Sequence, residues 1–181
     1  MATAGEMIKL IALNIARSQA TVTSFYAVLR KSGMISTRGR GRSAQDLSAL
    51  DVARAIIVMM SADSLQQAEA ITHLVGQLTH EVFNRSYELL GTITFENALA
   101  EIISAKADQH HGRPSQPGPI LGDLTGKEIE ISVTASHLQA IITINGEEFY
   151  FINVSGITPG MTYPDQWEDI PMIDQLVLRA I

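Results

Sequence analysis

The chain has 181 residues, 46% of them hydrophobic, which is enough for one large domain or two small ones with a genuine core. It contains no cysteine, and that excludes disulfides, thiolate nucleophiles, cysteine-ligated zinc and iron–sulfur clusters while suiting a reducing cytoplasm, where we expect it to act. The net charge is −6, yet residues 1–60 hold eight basic side chains (Lys9, Arg17, Arg30, Lys31, Arg38, Arg40, Arg42, Arg54) against three acidic ones (Glu6, Asp46, Asp51), so the first third carries +5 and the remainder −11.

Such asymmetry points to a segment that meets a polyanion, carried on a body that does not. No window approaches the roughly 18–20 uninterrupted apolar residues of a membrane span. The first nine residues lack a basic stretch followed by a long apolar one, so neither a membrane partner nor an export signal is expected. The sequence shows no internal repeat.

From Glu6 to Ala16, Ile8, Ile11, Ala12, Ile15 and Ala16 recur at the spacing of one helical face. Ser18-Gln19-Ala20 reads as a break. A second helix is predicted from about Thr21 to Ser32, with Val22, Phe25, Tyr26, Val28 and Leu29 on its apolar side. Gly33 suits the position just past its end, and Arg30 and Lys31 suit the negative end of the helix dipole. Two short helices a few residues apart have helix-turn-helix spacing, although an ordinary α-hairpin has it too. The polar face of the second helix carries Thr21, Thr23, Ser24 and Arg30, side chains able to reach phosphates or base edges.

Arg38-Gly39-Arg40-Gly41-Arg42 follows directly. Its glycines let the backbone lie close to a surface, and its arginines supply forked, permanently charged donors. Arg-Gly-Arg resembles the core of an AT-hook, which enters a narrow minor groove, with Thr37 and Ser43 nearby in place of that motif's flanking prolines. The alternatives are a solvated basic loop and an arginine clamp on the chain's own acidic second half. A third helix starts at Ser48-Ala49-Leu50-Asp51, a capping box with Asp in the usual Glu place. Val52, Ile56, Met59 and Met60, widened by Ile57 and Val58, predict a helix buried on most sides.

This run resembles the helix-turn-helix segment of small phage and prophage DNA-binding proteins. The matching residues are Ile15-Ala16-Arg17, Thr21-Val22-Thr23, Val28-Leu29-Arg30-Lys31-Ser32-Gly33-Met34-Ile35 and the Gly39-Arg40-Gly41-Arg42-Ser43 step. The family's usual turn glycine is missing, with Gln19 or Ala20 nearby. The resemblance covers about the first third of the chain and implies duplex DNA as partner. On it, the DNA-contacting residues are expected to be Arg17, Ser18, Gln19, Thr21, Thr23, Ser24, Arg30, Lys31, Arg38, Arg40 and Arg42.

Further on, Ser64-Leu65-Gln66-Gln67 reads as another capping box, opening a stripe of Leu65, Ala68, Ile71, Leu74, Val75 and Leu78. After Gly91 a helix is predicted from about Thr94 to Ala107 on Phe95, Leu99, Ile102 and Ile103. His73 after Glu69, and His80 beside Glu81, lack a third metal ligand and read as polar surface. His110-His111 shows no designed site either. Residues 108–126 hold three prolines and four glycines and predict a linker or long loop.

Beyond it the period falls to two: Ile129, Ile131 and Val133 alternate with Glu128, Glu130, Ser132 and Thr134. Leu138–Ile144 and Glu147–Val154 flank Asn145-Gly146, a hairpin signal. Three antiparallel strands are expected, with Phe149 and Phe151 on one face, and so small a sheet must pack on helices or other subunits. Near the end, Pro171 and then Ile173, Leu176, Val177 and Ala180 predict a short helix.

The expected fold class is α+β: a helix-turn-helix unit (1–62), a helical core or oligomerisation region (63–108), a linker (109–126) and an antiparallel β-hairpin unit with a short C-terminal helix (127–181). No phosphate-binding loop, nucleophile elbow or catalytic constellation is visible, so neither an enzyme nor a cofactor is expected. The expected function is transcription regulation by a DNA-binding homo-oligomer, a dimer on a palindromic site. The alternatives are a ring-forming small terminase subunit, to which the order of elements is similar, and a protein-interaction module without a DNA role.

Overall fold

The computed structural model describes residues 3–36, 47–83, 89–112, 121, 123–152 and 176–179. The fold is α+β: among the described residues there are five α-helices and one six-stranded antiparallel sheet.

Helix α1 (Ala4–Asn14) opens with a capping box between Thr3 and Glu6, in which the Glu6 carboxylate accepts from the Thr3 N–H at 2.8 Å. Helix α2 (Gln19–Lys31) starts two residues before the expected Thr21. The cause is Ser18, whose hydroxyl accepts the Thr21 N–H at 3.1 Å, so residues 18–20 begin the helix instead of breaking the pattern. Helix α2 ends as its sequence predicts. Gly33 takes φ +80°, its N–H reaches the Arg30 carbonyl, and the Met34 N–H reaches the Leu29 carbonyl at 3.0 Å.

Between the helices, Ala16 has φ +52°, a left-handed position that favours glycine. Neither Gln19 nor Ala20 takes that place. Ala16 is exposed, so Ala16→Gly relieves the strain without opening a cavity. Glycine's larger unfolded-state entropy offsets part of the gain, and we expect a net stabilisation of about 0.5–1 kcal/mol in chemical denaturation. A loss of stability would mean the turn is not strained.

Helix α3 (Ala49–Ser61) opens with the predicted capping box: the Ser48 hydroxyl accepts the Asp51 N–H, and the Asp51 carboxylate accepts the Ser48 N–H, both at 3.1 Å. It is apolar around most of its circumference because it serves two cores. Ala55, Val58 and Met59 pack with Met7, Ile11, Val22, Phe25 and Leu29 of the first two helices. Ala53, Ile57 and Met60 face the other way, towards α5 and the sheet.

Helix α4 (Ala68–Gly76) is shorter than its stripe suggested. Ser64–Gln67 is a turn, with the Gln67 N–H on the Ser64 carbonyl at 3.2 Å, and no side chain caps the helix. Ala68, Val75 and Leu78 are buried, whereas Leu65 and Leu74 are about half exposed. After Gly76 the chain turns into β1 (Thr79–Phe83) and β2 (Leu89–Thr94), a hairpin the helical reading of this stretch passed over. Helix α5 (Phe95–His110) follows where predicted, its first N–H donating to the Leu78 carbonyl at 2.8 Å.

Strands β3 (Ile129–Thr134), β4 (Gln139–Ile144) and β5 (Glu147–Ile152) form the expected meander. Asn145 (φ +50°) and Gly146 (φ +85°) make the tight turn between β4 and β5. Ile129, Ile131, Val133, Ile142 and Phe151 form the inner face, packed against α5 and α3, so the sheet is stabilised by the helices. The predicted C-terminal helix is replaced by strand β6 (Leu176–Arg179), in register with β3 as Ile131↔Leu178 and Val133↔Leu176. The other edge of β3 is already taken by β4, and its free edge offers unpaired N–H and C=O groups to the apolar tail. An apolar run this short has no diagnostic period of its own. Pro171, Ile173 and Ala180 lie outside the described residues. The strand order β2-β1-β5-β4-β3-β6 places β6 beside β3 after the β3–β4–β5 meander, a Greek key.

Candidate nucleic-acid interface

Helix α2 and the two residues before it carry most of the residues read from the sequence as DNA-contacting. Burying Val22, Phe25, Tyr26 and Leu29 against α1 and α3 leaves the opposite side of α2 in solvent. Gln19, Thr23, Ser24, Arg30 and Lys31 are exposed there, Ser18 is exposed at the cap, and Arg17 and Thr21 are half-buried at the turn. Arg38, Arg40 and Arg42 lie outside the described residues.

The hydroxyls on this face have local partners. Thr23 donates to the Gln19 carbonyl at 2.8 Å and Ser24 to the Ala20 carbonyl at 3.0 Å. Ser18 and Thr21 share a hydrogen bond at 2.8 Å while Ser18 caps the helix. In this arrangement Thr23 and Ser24 can still accept from a base amine, but they have no proton to spare for a phosphate oxygen. Phosphate binding on α2 therefore falls to Arg30 and Lys31 and to the exposed Gln19 amide group, for which the described residues supply no partner.

Arg54, which counts towards the basic first third, is committed elsewhere. Its Nε and Nη2 grip the two carboxylate oxygens of Glu96 on α5 at 2.8 and 3.2 Å, and its Nη1 donates to the Met34 carbonyl at 2.7 Å. Glu96 is 8% exposed and also accepts from the Gln77 amide at 2.8 Å. The fork-to-fork geometry satisfies both charges and ties the chain leaving α2 to the second core. The cue was present in the sequence, since a charged residue in a helix buried on most sides requires a partner.

Asp51 is likewise internal, only 4% exposed. Its carboxylate accepts the Ser36 N–H at 2.9 Å, the Ser36 hydroxyl at 2.8 Å and the Ser48 N–H. Burial pushes this carboxyl up, but the donated bonds from Ser36 and Ser48 outweigh it and hold the group below its ordinary value of 3.8. A depressed carboxyl stabilises the fold above the unfolded value, and that contribution disappears as pH falls through the lower folded value. We therefore expect part of the stability to vanish on acidification below about pH 4 in denaturant titrations, and to be missing in Asp51→Asn at neutral pH. Glu6 and Asp123 are also held low, by hydrogen bonds from Thr3 and Thr125, so the comparison with Asp51→Asn isolates the Asp51 share. A parallel acid profile in the two proteins would remove Asp51 from the account.

The histidines behave as packing or surface groups. The His80 ring lies 5.5 Å from both the Phe149 and Phe151 rings, with Nδ1 3.0 Å from the Tyr150 carbonyl oxygen, while His73 is exposed. Among the described residues no three His, Asp or Glu side chains converge as a metal site would require, and no helix is long and apolar enough to cross a membrane. Compared with known protein families, with curated proteins and with solved structures, this chain matches none.

Proposed function

We propose that this is a DNA-binding protein of the phage or prophage helix-turn-helix type, acting as a transcription regulator in the cytoplasm. The observation that carries the reading is a solvent-facing polar side of α2 with cations at Arg30 and Lys31, preceded by Arg17 at the turn and followed within a few residues in sequence by Arg38-Gly-Arg-Gly-Arg42. In this reading α2 enters the major groove, with Ser18, Gln19, Thr21, Thr23 and Ser24 near base edges. Arg17, Arg30 and Lys31 meet phosphates. Arg38, Arg40 and Arg42 grip the backbone or the adjacent minor groove. The acidic remainder of the chain repels the polyanion and leaves the first third as the contact surface.

The test is fluorescence anisotropy of a labelled random duplex titrated with protein across a salt series. Binding at roughly micromolar concentration that weakens steeply with salt is the expected result. Absence of binding even at low salt overturns the reading and leaves α1 and α2 as a protein-docking pair. A particle mass from light scattering then separates regulator from packaging subunit, since a regulator is expected as two copies and a terminase-like ring as many more.

A further inference from the structure

Of the described strands, only β2 and β4 carry no charged residue. For β4 this fits its place, since it lies between β5 and β3 in the middle of the sheet. β2 (Leu89-Leu90-Gly91-Thr92-Ile93-Thr94) lies at the end of the strand order, with β1 as its only partner among the described residues. An edge strand is commonly guarded by a charge, a proline or a very short length, each of which discourages a further strand from pairing with it. β6, at the opposite edge, has four residues and ends on Arg179. β2 has six residues and neither charge nor proline. Its irregularity falls opposite Val82 and Phe83, which leaves Gly91 to Thr94 in regular register. β2 thus has the composition of an interior strand in an edge position.

The register also settles which backbone groups of β2 are open. Along an antiparallel pair, residues that exchange both hydrogen bonds with their partner alternate with residues that turn both groups the other way. β1 and β2 pair as Thr79↔Thr94, His80↔Ile93, Glu81↔Thr92 and Val82↔Gly91. One step further, the Phe95 N–H donates to the Leu78 carbonyl at 2.8 Å, so that pair is of the bonded kind. By alternation His80/Ile93 and Val82/Gly91 are bonded too, whereas Thr79, Glu81, Thr92 and Thr94 turn their backbone groups away from the hairpin. On β1 that outward side meets β5 through Thr79↔Ile152, as the alternation requires. On β2 it presents the Thr92 N–H and C=O and the Thr94 N–H, with no partner among the described residues.

We propose that β2 is a homodimer interface: the β2 strand of a second copy pairs antiparallel with it about a two-fold axis at Thr92, joining the two sheets into one. A second copy is the occupant because an antiparallel pair of identical strands is its own complement. With the axis at Thr92, each copy donates its Thr92 N–H to the other's Thr92 carbonyl, and Thr94 of each lies opposite Leu90 of the other. The pairing continues the antiparallel pattern of the whole sheet. It also sets no charge against its own image, which β2 alone of the two edge strands avoids by composition. The inference goes beyond the DNA-binding reading and does not depend on it.

The test is sedimentation equilibrium of the full chain over a concentration series, where a dimer that dissociates on dilution is expected. Thr92→Pro deletes the outward N–H and spares the β1 ladder, because Thr92 gives that ladder no bond. It should weaken the dimer at least about tenfold, through loss of one hydrogen bond from each copy, while the dilute protein unfolds cooperatively as the parent does. Should the proline variant fold poorly, Thr92→Lys keeps the N–H but puts like charges on the two paired residues, and should weaken association in the same direction. Hydrogen exchange gives a direct readout: the Thr92 amide should exchange slowly in the dimer and quickly after dilution to monomer.

A parent that stays monomeric throughout the series overturns the proposal. So does a ring of many copies, because a two-fold contact closes at two. A dimer that tolerates both substitutions and leaves the Thr92 amide exchanging freely overturns it as well, and moves the interface elsewhere. The two readings fail separately: a dimer that binds no duplex removes the DNA-binding reading alone, and a monomer that binds duplex removes this inference alone.

Discussion

Replacing Arg38, Arg40 and Arg42 together by alanine should lower the magnitude of the salt slope of duplex binding by about 2.7, roughly 0.9 for each phosphate that is no longer neutralised. The same triple variant should lose most of its affinity near physiological salt yet unfold at the parental denaturant midpoint. The described bonds of Met34, Ser36 and Ser48, on either side of these arginines in sequence, are made by Arg54 and Asp51. The measurement is again anisotropy across a salt series, paired with denaturant unfolding. Binding that survives with its slope intact would assign the polyanion contact to Arg17, Arg30 and Lys31 alone. A fall in stability without a change in slope would mean that the arginines pair with the chain's own carboxylates.

Arg54→Ala is expected to produce the largest loss of stability among charge substitutions, about 3 kcal/mol. It strips a bidentate partner from Glu96, which is 8% exposed and would retain only the Gln77 amide. It also leaves the Met34 carbonyl without its donor. For a chain of this length such a loss corresponds to a fall in Tm of roughly 6–12 °C in calorimetry. Pairing Arg54→Met with Glu96→Leu should recover most of it, because the expensive state is one buried charge without the other. Removing Arg54 should leave the slope of DNA binding at its parental value, unlike the triple arginine variant. A loss below about 1 kcal/mol would show that the pair is solvent-screened.

The helices and the meander could be read from the sequence because each has a complete local signal. The α2 terminus has Arg30, Lys31 and Gly33 in their expected places, and the inner face of β3 follows a strict alternation. The β1–β2 hairpin was not visible for a physical reason. Leu78 continues a helical stripe across Gly76, and the two strands are held by pairing with each other from Thr79↔Thr94 to Phe83↔Leu89, with Thr79↔Ile152 joining them to β5. Strand β6 is likewise chosen by the free edge of β3 and not by its own period. At the candidate interface, the exposed polar side of α2 followed from periodicity. The roles of Arg54 and Asp51 did not, since counting charges cannot separate a cation facing solvent from one spent on Glu96, forty-two positions away.

Because helix α3 is shared between two cores, the molecule cannot be divided cleanly beside it. A fragment ending at residue 62 would keep the first two helices and their packing on Ala55, Val58 and Met59. It would also turn Ala53, Ile57 and Met60 outward, a ready-made adhesive stripe that the intact chain covers with α5 and the sheet. Such a fragment should self-associate in solution unless those three positions are made polar. The same shared wall should make the intact chain melt as one cooperative unit, because neither half can come apart without stripping a face from the other.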